Sequence, residues 1–258
     1  DNLCAAAGPA NDDCAGAEPI SCGQSISGST SAASPDYASY CGTSNTAPGV
    51  WYTFPGDGNC VTLSTCNAGT SYDTKLTVYE GSCGTLTCVA GNDDDFSCGN
   101  SIFNSTVNFK TNIGTEYYVL VHGWSANTGD FELSMECSPP PGNDDACNAW
   151  LLSVGTFNSP IFYWADNTCA SAQPGEVSPG AGTTPNYTCS SQDGWCSFET
   201  GVQSSVWYAF RAPASGCANV AAGSFLSTSA IDWQLAVWDV DNCGDFSTFT
   251  EVAANDDS

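Results

Sequence analysis

The chain has 258 residues, 41% of them hydrophobic and 12% aromatic, enough to bury a core in each of two modest domains. Three basic residues, Lys75, Lys110 and Arg211, face 28 carboxylates for a formal charge of −25. A surface of that sign repels phosphate backbones and anionic lipid, which excludes nucleic acid and membrane surfaces as partners and favours cations. No apolar run approaches the ~20 residues that a membrane-spanning helix requires.

Sixteen cysteines in a chain of this size point to disulfides, and hence to an oxidising, extracellular compartment. Zinc thiolates are a poor alternative, because no C-x-x-C occurs and the single histidine, His122, cannot furnish mixed Cys/His sites.

Taken in chain order, residues 1–10 read as the tail and linker of a preceding module, with Cys4 placed before Asn11 much as Cys137 is before Asn143. A first module runs over 11–137. It opens on Asn11-Asp12-Asp13-Cys14 and continues through Val50-Trp51-Tyr52-Thr53-Phe54, Asp73-Thr74-Lys75-Leu76-Thr77-Val78-Tyr79 and Val89-Ala90-Gly91-Asn92-Asp93-Asp94. Val61/Leu63, Leu76/Val78, Val107/Phe109, Tyr117/Val119/Val121 and Phe131/Leu133/Met135 alternate with polar neighbours, the period-two mark of half-buried strands. Pro-rich residues 138–142 form a short, stiff linker.

The same four blocks return in the same order over 143–258. They are Asn143-Asp144-Asp145 with Cys147, then Val206-Trp207-Tyr208-Ala209-Phe210, Asp232-Trp233-Gln234-Leu235-Ala236-Val237-Trp238 and Val252-Ala253-Ala254-Asn255-Asp256-Asp257. An insertion around 159–195, rich in Pro, Gly, Thr and Ser, separates the first two. The second module has no counterpart of the first module's last strands. It is expected to be incomplete, the strands coming from a longer chain or from a neighbouring subunit. Short, regularly spaced strands with turn signals and no helical stripe predict an all-β protein of two tandem sandwich modules.

At these blocks the sequence resembles the bacterial pre-peptidase C-terminal domain family and its Cys-rich relatives. The resemblance rests on Asn11-Asp12-Asp13-Cys14, the Val50–Phe54 strand, Asp73 with its Leu-x-Val-Tyr strand, and Asn92-Asp93-Asp94. The closing Tyr117–Gly123 and Gly129–Leu133 segments carry it further. It implies a jelly-roll-like sandwich found in secreted and surface proteins, either as an accessory domain of a hydrolase or in adhesin arrays, with calcium bound in some members.

Calcium is also the best-motivated ligand on chemical grounds, since hard cations take six to eight oxygens from carboxylates, amides and backbone. The expected donors are Asp12, Asp13, Asp93 and Asp94, with Asp95 in reserve, in the first module, and Asp144, Asp145, Asp256 and Asp257 in the second. The competing reading is that each Asn-Asp-Asp merely forms Asx-turns with its charges in water. Enzymatic chemistry has little to stand on. A Ser-His-Asp arrangement must use His122, which ends an apolar strand as a packed histidine would. Exposed Trp164 and Trp195 could stack on sugar faces, giving a rival reading as a carbohydrate-binding accessory module. Asn104 and Asn186 head acceptor sequons for glycosylation. Shared positions in the two modules suggest disulfides Cys14–Cys41 and Cys147–Cys196. The expected protein is a non-enzymatic, extracellular structural or adhesive repeat, its partners copies of itself in a filament or array.

Overall fold

A computed structural model describes residues 8–99, 101–156, 159–176, 178, 202, 204–222 and 234–255. The chain divides into two units, Asp1–Pro140 and Pro141–Ser258. No α-helix occurs among the described residues, and none of their helices is long and apolar enough to cross a membrane.

The first unit is a sandwich of two sheets. One contains, in spatial order, β1 (Glu18–Pro19), β3 (Val50–Pro55), β8 (Glu116–Gly123), β5 (Thr74–Ser82) and β6 (Thr85–Asn92). The other contains β2 (Gln24–Ser29), β9 (Asp130–Ser138), β4 (Cys60–Ser64) and β7 (Thr106–Lys110). Strict alternation along these strands sends one set of side chains into the gap between the sheets. Val50, Tyr52, Phe54, Leu76, Val78, Tyr117, Val119 and Val121 meet Val61, Leu63, Val107, Phe131, Leu133 and Met135 there, all buried. Each such side chain contributes about 1.5–3 kcal/mol by leaving water.

The opposite face of the five-stranded sheet is covered as well. Trp51, Tyr79, Leu120 and Cys41 form a second cluster on that side, away from the main core. The segment between β2 and β3 lies over it. Trp51 Nε1 donates to Asp36 Oδ1 (2.5 Å), and Tyr79 Oη donates to Ser39 O (2.6 Å). The covering segment approaches β6 so closely that a Cβ at Gly91 would stand 1.7 Å from the Cys41 carbonyl oxygen, so glycine is required there.

The disulfides differ from the pairs suggested by position. Cys14 joins Cys83, at the β5–β6 turn, and Cys41 joins Cys88 on β6. The covering segment carries Cys41 to β6, whereas Cys14 sits in a 3-10 turn over Cys14–Gly16. In the second unit Cys147 joins Cys243, between two strands, and Cys196 lies outside the described residues. Cys22–Cys137 and Cys66–Cys98 complete the pairs described at both ends, while Cys217 is an exposed thiol.

The second unit repeats the local layout of the first. Its strands are β10 (Trp150–Leu151), β11 (Tyr208–Ala209), β12 (Leu235–Val240) and β13 (Phe249–Asn255). β10 pairs parallel with β11 through Trp150↔Tyr208, as β1 pairs with β3 through Glu18↔Tyr52. The β12–β13 ladder shifts register between Val237 and Trp238, and the β5–β6 ladder shifts at the matching place, between Val78 and Tyr79. The difference is in the sheet. In the first unit β8 joins the β1–β3 pair to the β5–β6 pair, whereas among the described residues of the second unit β10–β11 and β12–β13 are separate two-stranded sheets.

Candidate functional site

The Asn-Asp-Asp that opens each unit is a structural clip. Asn11 Nδ2 donates to Trp51 O (3.0 Å) while Trp51 N donates to Asn11 O (2.8 Å). Asn143 and Trp207 repeat the exchange at 3.0 and 2.8 Å. Asp12 accepts from Ser34 N at 2.6 Å and Ser34 Oγ at 3.0 Å, and Asp144 accepts from Ser171 N at 2.6 Å and Ser171 Oγ at 3.1 Å. Asp13 and Asp145 precede 3-10 turns without capping them through the side chain. These bonds are not local Asx-turns: they reach 22 to 64 residues along the chain to fix loop entry, and they occupy the Asp12 oxygens expected to hold calcium. The charges of Asp12 and Asp13 instead bear on Asp36, whose pKa rises to about 6, chiefly through burial.

The second acidic block gathers elsewhere. Asp93 and Asp94 follow β6 and meet Asp73, which precedes β5, so that carboxylate oxygens of all three lie within 4.8 Å of one another. Several bonds hold this pocket in place. Ser105 Oγ donates to Thr74 O (2.6 Å) and Asp93 O (2.5 Å), Trp124 N donates to Asp73 O (3.1 Å), and Cys66–Cys98 ties the β6–β7 loop to the β4–β5 loop. Asp95 turns away: its Oδ1 accepts from Ser97 N and Oγ, which lowers its pKa. Beside Asp95, Cys66 and Cys98 form a disulfide and offer no thiolate to a metal.

One cation reaches the pocket from within. Lys75 Nζ is 3.1 Å from Asp93 Oδ2 and 3.2 Å from Ser44 Oγ, with its side chain almost wholly buried. Three carboxylates less one ammonium leave two negative charges. Burial, and then the charges of Asp93 and Asp94, raise the pKa of Asp73. Asp73 Oδ1, Asn92 Oδ1 and Asp93 Oδ1 are buried oxygens that accept no hydrogen bond. An unsatisfied buried acceptor is costly, and a hard divalent cation would satisfy several at once. The carboxylates of Asp73, Asp93 and Asp94 thus form a donor group of the kind a hard divalent cation would fit, with water or backbone oxygen completing its shell. Asp73 was not among the expected ligands, although it stands in a repeated block. Its proximity to Asp93 depends on the β5–β6 pairing. The counterparts Asp256 and Asp257 lie outside the described residues.

The remaining predicted positions fall as follows. His122 is fully buried opposite Lys75 in the β5–β8 ladder, with neither ring nitrogen hydrogen-bonded. Burial, reinforced by the Lys75 charge, depresses its pKa to about 3, so it is a neutral packed histidine. Asn104 is 1% exposed, which corrects the expectation of a glycan there: a folded chain has no room for a sugar on its amide. Asn186 lies outside the described residues. Trp164 is 79% exposed beside Phe162 and Tyr163, and Trp195 lies outside the described residues.

No protein-family model matches the chain, and no curated protein does. Among solved structures, the pre-peptidase C-terminal domain of a collagenase from Bacillus anthracis is similar at 19% identity, covering 46% of this chain and 94% of that one, with a TM-score of 0.32. A periplasmic inhibitor of g-type lysozyme, PliG of Aeromonas hydrophila, is similar at 13% identity, covering 47% of this chain and 96% of that one, with a TM-score of 0.30. With scores this low, the reading of function rests on the geometry alone.

Proposed function

We propose that the chain is an extracellular structural and adhesive repeat protein, a building block of a surface filament or stalk. Its cross-linked modules repeat one strand layout and make contact with those of neighbouring subunits. The observation that carries this reading is the duplication: the parallel bridge, the reciprocal Asn–Trp bonds and the register shift of the first unit recur in the second. Long-range disulfides, Cys22–Cys137 spanning 115 residues and Cys14–Cys83 spanning 69, suit a module that must resist pulling and proteolysis outside the cell. Negative-stain microscopy of native material tests the reading. Filaments or regular arrays are expected, and isolated monomeric particles at all concentrations would remove it.

The Asp73/Asp93/Asp94 pocket supports a calcium-stiffened first unit. Saturating calcium should raise the melting midpoint by about 3 °C or more relative to chelator, and Asp73→Asn should abolish the difference. Identical midpoints would retire the ion. Exposed Trp164, Phe162 and Tyr163 favour a second reading, polysaccharide binding. Pull-down on insoluble glycans, lost in Trp164→Ala, is its test.

A further inference from the structure

We infer that Lys75 and Asp93 are the partners of an intramolecular isopeptide bond, joining the lysine Nζ to the aspartate Cγ and closing the β5–β6 hairpin of the first unit covalently. Such a bond suits a module exposed to pulling and proteolysis, yet it stands or falls independently of the filament reading. The chain has three basic residues against 28 acidic ones, and one of the three has a side chain only 4% exposed. Lysine is seldom buried, because its ammonium loses hydration that one ion pair does not fully restore. Lys75 Nζ meets Asp93 Oδ2 at 3.1 Å and Ser44 Oγ at 3.2 Å. Opposite it in the β5–β8 ladder stands His122, fully buried, with neither ring nitrogen hydrogen-bonded. Surroundings this dry favour the uncharged amine, which is the nucleophilic form of lysine.

The fold itself holds the two side chains together. Leu76 pairs with Asn92 at the open end of the β5–β6 hairpin, so Lys75 and Asp93 are the next residues outward on its two arms. Ser105 Oγ donates to both Thr74 O and Asp93 O, which fixes the backbone beside each of them. With the nitrogen 3.1 Å from Oδ2, the carbon to be attacked is one bond further on. Groups held in this way react as though at an effective concentration on the order of 10⁵ M or more. The Asp93 side chain is 37% exposed, which gives a displaced water a path to solvent.

The reaction balances without an oxidant or a co-reactant. One proton passes from the Lys75 ammonium to the Asp93 carboxylate, giving amine and acid. The amine lone pair forms the N–C bond at Cγ, a second proton moves from nitrogen to the departing hydroxyl, and the C–O bond breaks as water leaves. Asp73, with a carboxylate oxygen within 4.8 Å of that of Asp93, is placed to carry the second proton directly or through one water. The ammonium and one carboxylate disappear together, so the pocket keeps the two negative charges of Asp73 and Asp94. In the second unit Gln234 stands where the first has Lys75, and no equivalent bond can form.

Mass spectrometry of the whole native chain, reduced, alkylated and digested with chymotrypsin, is the test. The expected product is a branched peptide that joins the segments around Lys75 and Asp93 and weighs one water less than its two arms. In the denatured chain an amine-acylating reagent should label Lys110 and leave Lys75 unlabelled. Lys75→Arg keeps the positive charge without the nucleophilic amine. That chain should yield the two arms separately and melt about 5 °C or more below the parent, as loss of a covalent loop closure requires. Asp73→Asn should leave most molecules unlinked. Separate arms from the parent chain, or Lys75 labelled as readily as Lys110, would overturn the bond. A fully linked Asp73→Asn chain would overturn the proton relay. Neither result touches the filament and calcium readings, which microscopy and melting with chelator test on their own.

Discussion

Tyr52 and Tyr208 occupy the same place in two copies of one strand layout, yet the first is 3% exposed and the second only half-buried. Their local surroundings agree closely: the parallel bridge, the reciprocal Asn–Trp bonds, the Asp–Ser clip and the register shift recur in both units. What differs among the described residues is how deeply the matching side chains are covered. The clips and bulges recur with the repeated blocks even though they join residues distant in sequence, while the depth of burial differs between the described residues of the two units.

Four experiments separate these contributions. The largest effect is expected from Cys22→Ser with Cys137→Ser, which opens a span of 115 residues. Loss of about 4 kcal/mol from the first unit, measured by denaturant unfolding with separate probes for the two units, should leave the second unit unchanged. Next, Val78→Ala should cost about 2–3 kcal/mol in its packed core, and Val237→Ala under about 1 kcal/mol, because a half-buried valine has less to lose. Equal costs would mean that Val237 is packed as tightly as Val78. Third, Asp12→Ala and Asp144→Ala should each cost about 1 kcal/mol, since both carboxylates make the same two bonds. Here the units should match.

The smallest effect concerns pH. Asp36, raised from 3.8 to about 6, binds its proton more tightly folded than unfolded. Its contribution is therefore fully present below about pH 4 and lost as pH rises through about 6. Screening of its exposed portion limits the change to about 1 kcal/mol. Thermal midpoints across that window should fall in the parent chain and fall less in Asp36→Asn, which keeps an acceptor for Trp51.

Much of the fold was legible because period-two alternation is local. Val61/Leu63, Leu76/Val78, Tyr117/Val119/Val121 and Phe131/Leu133/Met135 all point into the core as their spacing requires. Four repeated blocks revealed the duplication for the same reason. Features set by contacts distant in sequence were not legible. Cysteine pairing depends on which segments fold over which strands, so Cys41 meets Cys88 and leaves Cys14 to Cys83. Trp51 packs on the outer face of its sheet because the β2–β3 segment, distant in sequence, folds back over it. The acidic pocket was half legible. Asp93 and Asp94 stood out as a cluster, while Asp73, about twenty residues earlier, joins them only through the β5–β6 ladder. Asn104 carries a sequon, but burial in the β6–β7 connection is a tertiary fact.

One strand layout recurs in both units, and its described residues are buried more deeply in the first. Amide exchange of the unliganded chain, resolved strand by strand, tests it most directly. Slow exchange throughout β3, β5 and β8 with fast exchange in β11 and β12 is the predicted result. Equally slow exchange in all five strands would contradict it.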